Sequence, residues 1–173
     1  MPLNLANWIT LSRLLAVPII LVAIAQEWQM TALVAFVIAC ATDWLDGYVA
    51  RKYNLITDLG KALDPLVDKL VILAPLLALV ELGQVPAWAV YVIVARELLV
   101  TAWRGSSQQG ANIWGKAKTL SQMLAVGALL LQWEYAIYSL YVAVALTLWS
   151  GLSYVLPEIA NNSTQVRSDR PSI

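Results

Sequence analysis

Asp43-Trp-Leu-Asp46-Gly47-Tyr-Val-Ala50-Arg51, followed after eight residues by Gly60-Lys61-Ala-Leu-Asp64-Pro-Leu-Val-Asp68-Lys69, is the stretch on which the reading of this chain turns. Asp43 and Asp46 are three apart, with Gly47 and Ala50 at the following turns, so a helix puts all four on one face. Asp64 and Asp68 are four apart and share a face of the next helix. The small residues of the first stripe let a neighbouring helix or a ligand approach the backbone closely. Two antiparallel helices joined by Lys52–Leu59 would therefore aim four carboxylates into one cavity.

Such a cluster needs a reason to exist. Unpaired carboxylates in a low-dielectric cavity repel one another and take up protons, whereas a divalent cation removes the conflict. Hard oxygen donors without His or Cys suit Mg²⁺ or Mn²⁺. Four carboxylates match a two-metal site whose ions clamp a phosphoryl group under attack. Spacing alone also admits two other readings. The acids could form a cation or proton path, or pair structurally with Arg51, Lys61 or Lys69. A transporter would more often carry matching features in two halves, and residues 87–157 hold no second acidic cluster.

The rest of the chain says where this cluster lives. Of 173 residues, 60% are hydrophobic and 13% charged, and the mean hydropathy is +0.69. Soluble domains carry roughly 25% charged residues, so this chain cannot cover itself with a polar surface. Eleven Lys+Arg balance eleven Asp+Glu, which argues against a nucleic-acid binder. No His is present, which excludes His-based triads and His-ligated zinc or haem. Cys40, the single cysteine, excludes an intrachain disulfide and reads as a small apolar core residue.

We therefore expect an all-α integral membrane bundle. A span needs about 20 mostly apolar residues, and Tyr135–Pro157 is the one long charge-free run. Leu14–Gln26, Trp28–Thr42, Leu70–Val80, Leu82–Ala95 and Thr119–Trp133 reach span length only by drawing charged neighbours into the membrane layer. On that basis six helices fall near 7–26, 29–52, 60–81, 87–106, 114–133 and 135–157. The connections carrying Glu27, Glu81 and Glu134 contain no Lys or Arg, so both termini and all basic residues are expected on the cytoplasmic side of an inner or plasma membrane. No signal peptide is expected, Pro2–Ile9 could start as a short interfacial segment, and Trp28, Trp88, Trp103, Trp114, Trp133 and Tyr135 fall near span ends. Residues 1–157 form the expected transmembrane domain. Residues 158–173, polar from Glu158 on, form an expected loose cytoplasmic tail.

A second set of residues suggests the kind of molecule handled. Arg96 and Arg104 are eight apart on the fourth helix, about 80° from each other, and Lys116 and Lys118 open the fifth. Burying Arg96 behind the apolar run Ala87–Ala95 is costly unless it meets an anion. Glu97 lies about 100° around the helix, and the other acids look committed to metal. A phosphate clamp is therefore the expectation, with arginine supplying the planar fork that phosphate favours.

The acidic stretch resembles the signature of the CDP-alcohol phosphotransferase family, D-x-x-D-G-x-x-A-R-x8-G-x3-D-x3-D. Asp43, Asp46, Gly47, Ala50, Arg51, Gly60, Asp64 and Asp68 all fall in register. The resemblance implies six transmembrane helices, a homodimer, and transfer of the phosphatidyl group of CDP-diacylglycerol to an alcohol with release of CMP. It implies Asp43, Asp46 and Asp64 on one Mg²⁺ or Mn²⁺ ion, Asp43, Asp64 and Asp68 on a second, and Asp68 as general base. Gly47, Ala50, Arg51, Gly60 and Lys61 would receive the CDP-lipid. Three further segments resemble the branch of the family that makes phosphatidylglycerol phosphate. They are Asn7-Trp-Ile-Thr10-Leu-Ser-Arg13, Ala95-Arg-Glu-Leu-Leu-Val-Thr101-Ala-Trp-Arg104 and Gly115-Lys-Ala-Lys118-Thr119, with Leu146-Thr-Leu-Trp-Ser150-Gly151 also alike. This implies sn-glycerol 3-phosphate as acceptor, its phosphate held by Arg96, Arg104 and Lys118, with Thr10 and Arg13 lining the same mouth. Inositol phosphate or another alcohol as acceptor, a divalent-cation carrier and a silent membrane protein remain the alternatives.

Overall fold

The computed structural model describes residues 5–53, 58–104 and 113–168, and the surroundings of side chains over 12–42, 66–102 and 113–153. The described residues form six helices and no strand: α1 (Leu5–Ala25), α2 (Gln29–Tyr53), α3 (Asp58–Glu81), α4 (Ala87–Arg104), α5 (Ile113–Leu130) and α6 (Ala136–Ser168). All six expected helices are present, with shifted ends. Leu5–Ile9 continues directly into α1 rather than forming a separate element.

Three of the connections are made the same way. After α1, the Glu27 amide bonds the Ile24 carbonyl and the Trp28 amide bonds the Ala23 carbonyl, with Glu27 at φ 59°. Gly83 at φ 70° and Gln132 at φ 53° repeat the pattern after α3 and α5. This 6→1 and 5→2 pairing satisfies the last carbonyls of a helix and reverses the chain within a few residues. The ends of α1, α3 and α5 are thereby tied to tight turns, which carry the Glu-bearing, Lys- and Arg-free connections.

Packing follows the periodicity of each helix. On α2, Ala32, Phe36 and Ala39 are buried; on α6, Ala136, Leu140, Ala143, Thr147 and Ser150 alternate by three and four along one seam. Small residues in these seams let backbones approach closely. α1 packs against both α2 and α3, and α6 against α4 and α5; the two groups join where α2 meets α5 and where α3 meets α4 and α5. The outward faces are apolar as well: Leu15, Ile19, Val22, Val34, Ile38, Leu77, Leu99, Leu124 and Trp149 are all exposed. A helix apolar on both its inner and outer faces is suited to an apolar solvent. Among the described residues, Ala136–Ser153 is the stretch long and apolar enough to cross a membrane by itself, while Ser12–Ala25 and Gln29–Thr42 are shorter. Cys40 is half-buried against the core, as its type suggested.

The expectation of a loose tail from Glu158 needs correction in its backbone, because α6 runs on to Ser168. Between Pro157 and Pro171 no residue breaks a helix, and Glu158, Ala160 and Gln165 favour one. At 1.5 Å per residue this 33-residue helix is about 50 Å long, well beyond a hydrocarbon core of about 30 Å.

Candidate active site

α2 carries Asp43, Asp46, Gly47, Ala50 and Arg51, and α3 carries Gly60, Lys61, Asp64 and Asp68, so the helical premise of the sequence reading is met by the backbone. The two helices are in contact. The side chains of Asp43, Asp46, Gly47, Ala50, Arg51, Gly60, Lys61 and Asp64 lie outside those described, as do Thr10 on α1 and Arg104 at the end of α4. Among the described residues no group of three or more His, Cys, Asp and Glu comes together.

Of the four aspartates in the acidic stretch, Asp68 is the one whose surroundings are described. It sits where α1 packs on α3, and Arg13 Nη1 donates to its Oδ1 at 2.5 Å. The exposures differ sharply: Arg13 is 2% exposed and the Asp68 side chain 43%. The arginine is thus the buried anchor, and the carboxylate points outward from it. Sequence reading placed Arg13 at the mouth for the acceptor; the structure joins it to Asp68, 55 residues away.

The exposed side of Asp68 opens into a cavity of about 300 Å³ between α3, α4 and α5. Its polar lining is Asp68 and Lys69 from α3, Glu97 from α4, and Lys118, Thr119 and Gln122 from α5, over a floor of Ile72 and Leu73. A volume of that size is at the small end for a ligand pocket. Gln122 is fixed by donating to Thr147 Oγ1 at 2.9 Å, and Thr147 in turn donates to the Ala143 carbonyl at 2.6 Å. An amide is thereby held in an otherwise apolar contact between α5 and α6.

Two of these lining residues, Glu97 and Lys118, belong to a buried ionic cluster that extends behind the cavity wall to Arg96. Glu97 Oε1 accepts from Lys118 Nζ and, at 3.2 Å, from Arg96 Nη1; Arg96, Glu97 and Lys118 are all buried. Arg96 Nη2 donates to Ser150 Oγ on α6. Gly151 makes room for this, since a Cβ there would lie 3.3 Å from Arg96 Cγ. A buried charge is tolerable only when paired and hydrogen-bonded, and one carboxylate serving two cations meets that need. Lys69 Nζ donates to Thr101 Oγ1, whose hydroxyl donates to the Glu97 carbonyl at 2.6 Å.

The structure therefore changes two premises of the sequence reading. Glu97 was expected to point away from Arg96 by its helical angle, but both side chains are long enough to bend together across that angle. It was also expected that the acids would be taken up by metal, yet Glu97 stands outside the acidic signature and binds both Arg96 and Lys118. Arg96 lies behind Glu97 rather than in the cavity lining, while Lys118 lies in it. Lys69, Glu97, Gln122, Ser150 and Gly151 were not picked out as site residues. Polar groups inside otherwise apolar helices were the available signal.

The family model described as CDP-alcohol phosphatidyltransferase matches residues 3–149. The chain is 40% identical to a Bacillus subtilis (strain 168) protein named CDP-diacylglycerol--glycerol-3-phosphate 3-phosphatidyltransferase, over 87% of this chain and 93% of that one. It is 36% identical to a Haemophilus influenzae protein of the same name, over 90% and 93%. A Mycobacterium tuberculosis protein named "Probable phosphatidylglycerophosphate synthase" is 36% identical, over 88% of this chain and 80% of its own.

Proposed function

We propose that this chain, which belongs to the CDP-alcohol phosphatidyltransferase family and is a transferase, moves the phosphatidyl group of CDP-diacylglycerol onto sn-glycerol 3-phosphate. CMP leaves and phosphatidylglycerol phosphate forms. The observation that carries this reading is the cavity that brings Asp68, the end of the acidic signature, together with Lys118 of the basic set. Attack by an alcohol that itself bears a phosphate needs such a juxtaposition: a base at one end of the acceptor and a cation at the other.

Members of the family work with divalent cations, and the donor set here fits them. Asp43, Asp46, Asp64 and Asp68 are all-oxygen ligands carried on two helices in contact, as Mg²⁺ or Mn²⁺ prefers. When bound, two such ions would neutralise the diphosphate of the CDP-lipid. Gly47, Ala50, Arg51, Gly60 and Lys61 belong to the CDP-lipid side of the site. On the acceptor side, Asp68 takes the proton from the attacking hydroxyl as its oxygen forms a bond to the phosphatidyl phosphorus. The bond from that phosphorus to the CMP oxygen breaks in the same exchange. A carboxylate does this only within hydrogen-bond reach of the hydroxyl, which the outward side of Asp68 permits. Arg13 holds the other side of that carboxylate. Lys118 meets the acceptor phosphate, Arg96 supports it from behind through Glu97, and Arg104 completes the basic set; Thr10 lies on the same helix as Arg13.

Six membrane spans, both termini in the cytoplasm, an active site open to the cytoplasm and a homodimer complete the proposal. The apolar outward faces of the helices and the Lys- and Arg-free turns after α1, α3 and α5 support it. The test is CMP release by the detergent-purified protein given CDP-diacylglycerol and Mg²⁺. Release should depend on glycerol 3-phosphate, with myo-inositol 1-phosphate and serine inert. Release with a different alcohol would overturn the acceptor. No release with any acceptor would turn attention to metal flux through the same carboxylates in liposomes.

A further inference from the structure

We infer that Lys69, tethered by Thr101, is a cation of the acceptor-phosphate site and faces Lys118 across the cavity. This rests on the cavity being the acceptor site. Lys69 and Lys118 line the same space from α3 and α5, with Asp68 between α1 and that space, and their like charges oppose each other. Lys118 has Glu97 as its counter-charge. Among the described residues, no carboxylate is ion-paired with Lys69; its hydrogen bond goes to a neutral hydroxyl, Thr101 Oγ1.

The tether is specific in direction. The Thr101 hydroxyl spends its one hydrogen on the Glu97 carbonyl, so its oxygen is left to accept from the lysine. An ammonium carries three donors. One is used on Thr101, and the others remain for a ligand. Lys69 is adjacent to Asp68 in the chain, so a phosphate held there places the acceptor's hydroxyl end within one small cavity of the base. Lys69 and Lys118 bring two ammonium groups to one cavity, and Glu97 is the counter-charge of Lys118; a phosphate oxygen is the acceptor that the remaining Lys69 donors suit. Thr101 is then a positioning residue, acting through Lys69.

The experiment measures KM for glycerol 3-phosphate and for CDP-diacylglycerol on full-length Lys69→Ala, Lys69→Gln, Lys69→Arg, Thr101→Val and Lys118→Ala. Lys69→Ala should raise KM for glycerol 3-phosphate about tenfold or more, with KM for CDP-diacylglycerol within about twofold. Lys69→Gln keeps a donor for Thr101 without the charge and should fail like alanine, whereas Lys69→Arg should restore most of the affinity. Thr101→Val should fall between. A merely structural lysine predicts instead that Gln rescues or that both KM values rise together, and either result overturns the inference. If Lys118→Ala raises KM for glycerol 3-phosphate and neither neutral Lys69 variant does, Lys69 is not in the site. If Lys118→Ala leaves that KM unchanged too, the cavity is not the acceptor site and the underlying reading fails.

Discussion

Replacing Asp68 by Asn separates chemistry from architecture at this site. Asn has nearly the same shape and keeps an oxygen that can accept from Arg13, but it carries no charge and cannot take a proton from an alcohol. Loss of a general base costs about 10²–10⁴ in rate. The structural cost is smaller. Removing one member of a fully buried ion pair costs about 3–5 kcal/mol, but here only Arg13 is buried and the Asp68 side chain is 43% exposed. Solvent screening and the retained neutral acceptor reduce the expected loss to about 1–2 kcal/mol. Against a usual stability of about 5–15 kcal/mol, the variant stays folded, so a rate loss of two orders of magnitude cannot come from unfolding. The assay is CMP release at saturating CDP-diacylglycerol and glycerol 3-phosphate, with thermal unfolding in detergent and Mn²⁺ titration in parallel. Turnover should fall at least a hundredfold while Mn²⁺ binding is partly retained. A variant that keeps a tenth of the rate or more would refute the assignment of Asp68 as base.

Three further substitutions probe the neighbouring parts. Arg96→Ala removes the group that joins Glu97 to Ser150 and should raise KM for glycerol 3-phosphate tenfold or more; an equal rise for CDP-diacylglycerol would break the acceptor assignment. Gly151→Ala sets a methyl 3.3 Å from Arg96 Cγ. The flexible stem can shift by a few tenths of an ångström, so stability should change by less than about 1 kcal/mol, while KM for glycerol 3-phosphate rises several-fold; wild-type kinetics would mean that the seat of Arg96 is immaterial. Gly83→Ala meets no atom within 4 Å, so its cost is the backbone strain of φ +70° alone, about 1 kcal/mol. Unfolding in detergent should register that loss with activity intact, and an unchanged unfolding midpoint would contradict the turn assignment.

Periodicity within one helix is a local property, and so the sequence by itself determined what is local. It placed six helices, set Asp43 with Asp46 and Asp64 with Asp68 on helical spacings, and marked the apolar, low-charge chain as one that cannot cover itself for water. Expected helix ends were off by a few residues at most, except at α6, where a polar composition was taken for a loose tail although nothing between Pro157 and Pro171 stops a helix. Arg13, Arg96 and Lys118, which are buried, stood out in the sequence because buried Arg and Lys are rare in apolar helices. Their partners were not. Arg13 finds Asp68 across 55 residues, Arg96 finds Ser150 across 54, and Lys118 finds Glu97 across 21. No spacing rule reaches that far, since these pairings depend on which helix faces meet. The angle between neighbours on one helix also misled for Arg96 and Glu97, because long side chains bend across it when a buried charge needs a partner. The packing of α3 against α4 and α5 decided that Asp68, Lys69 and Lys118 share one cavity, as helix contact and the cost of leaving a buried charge unpaired are settled only in three dimensions.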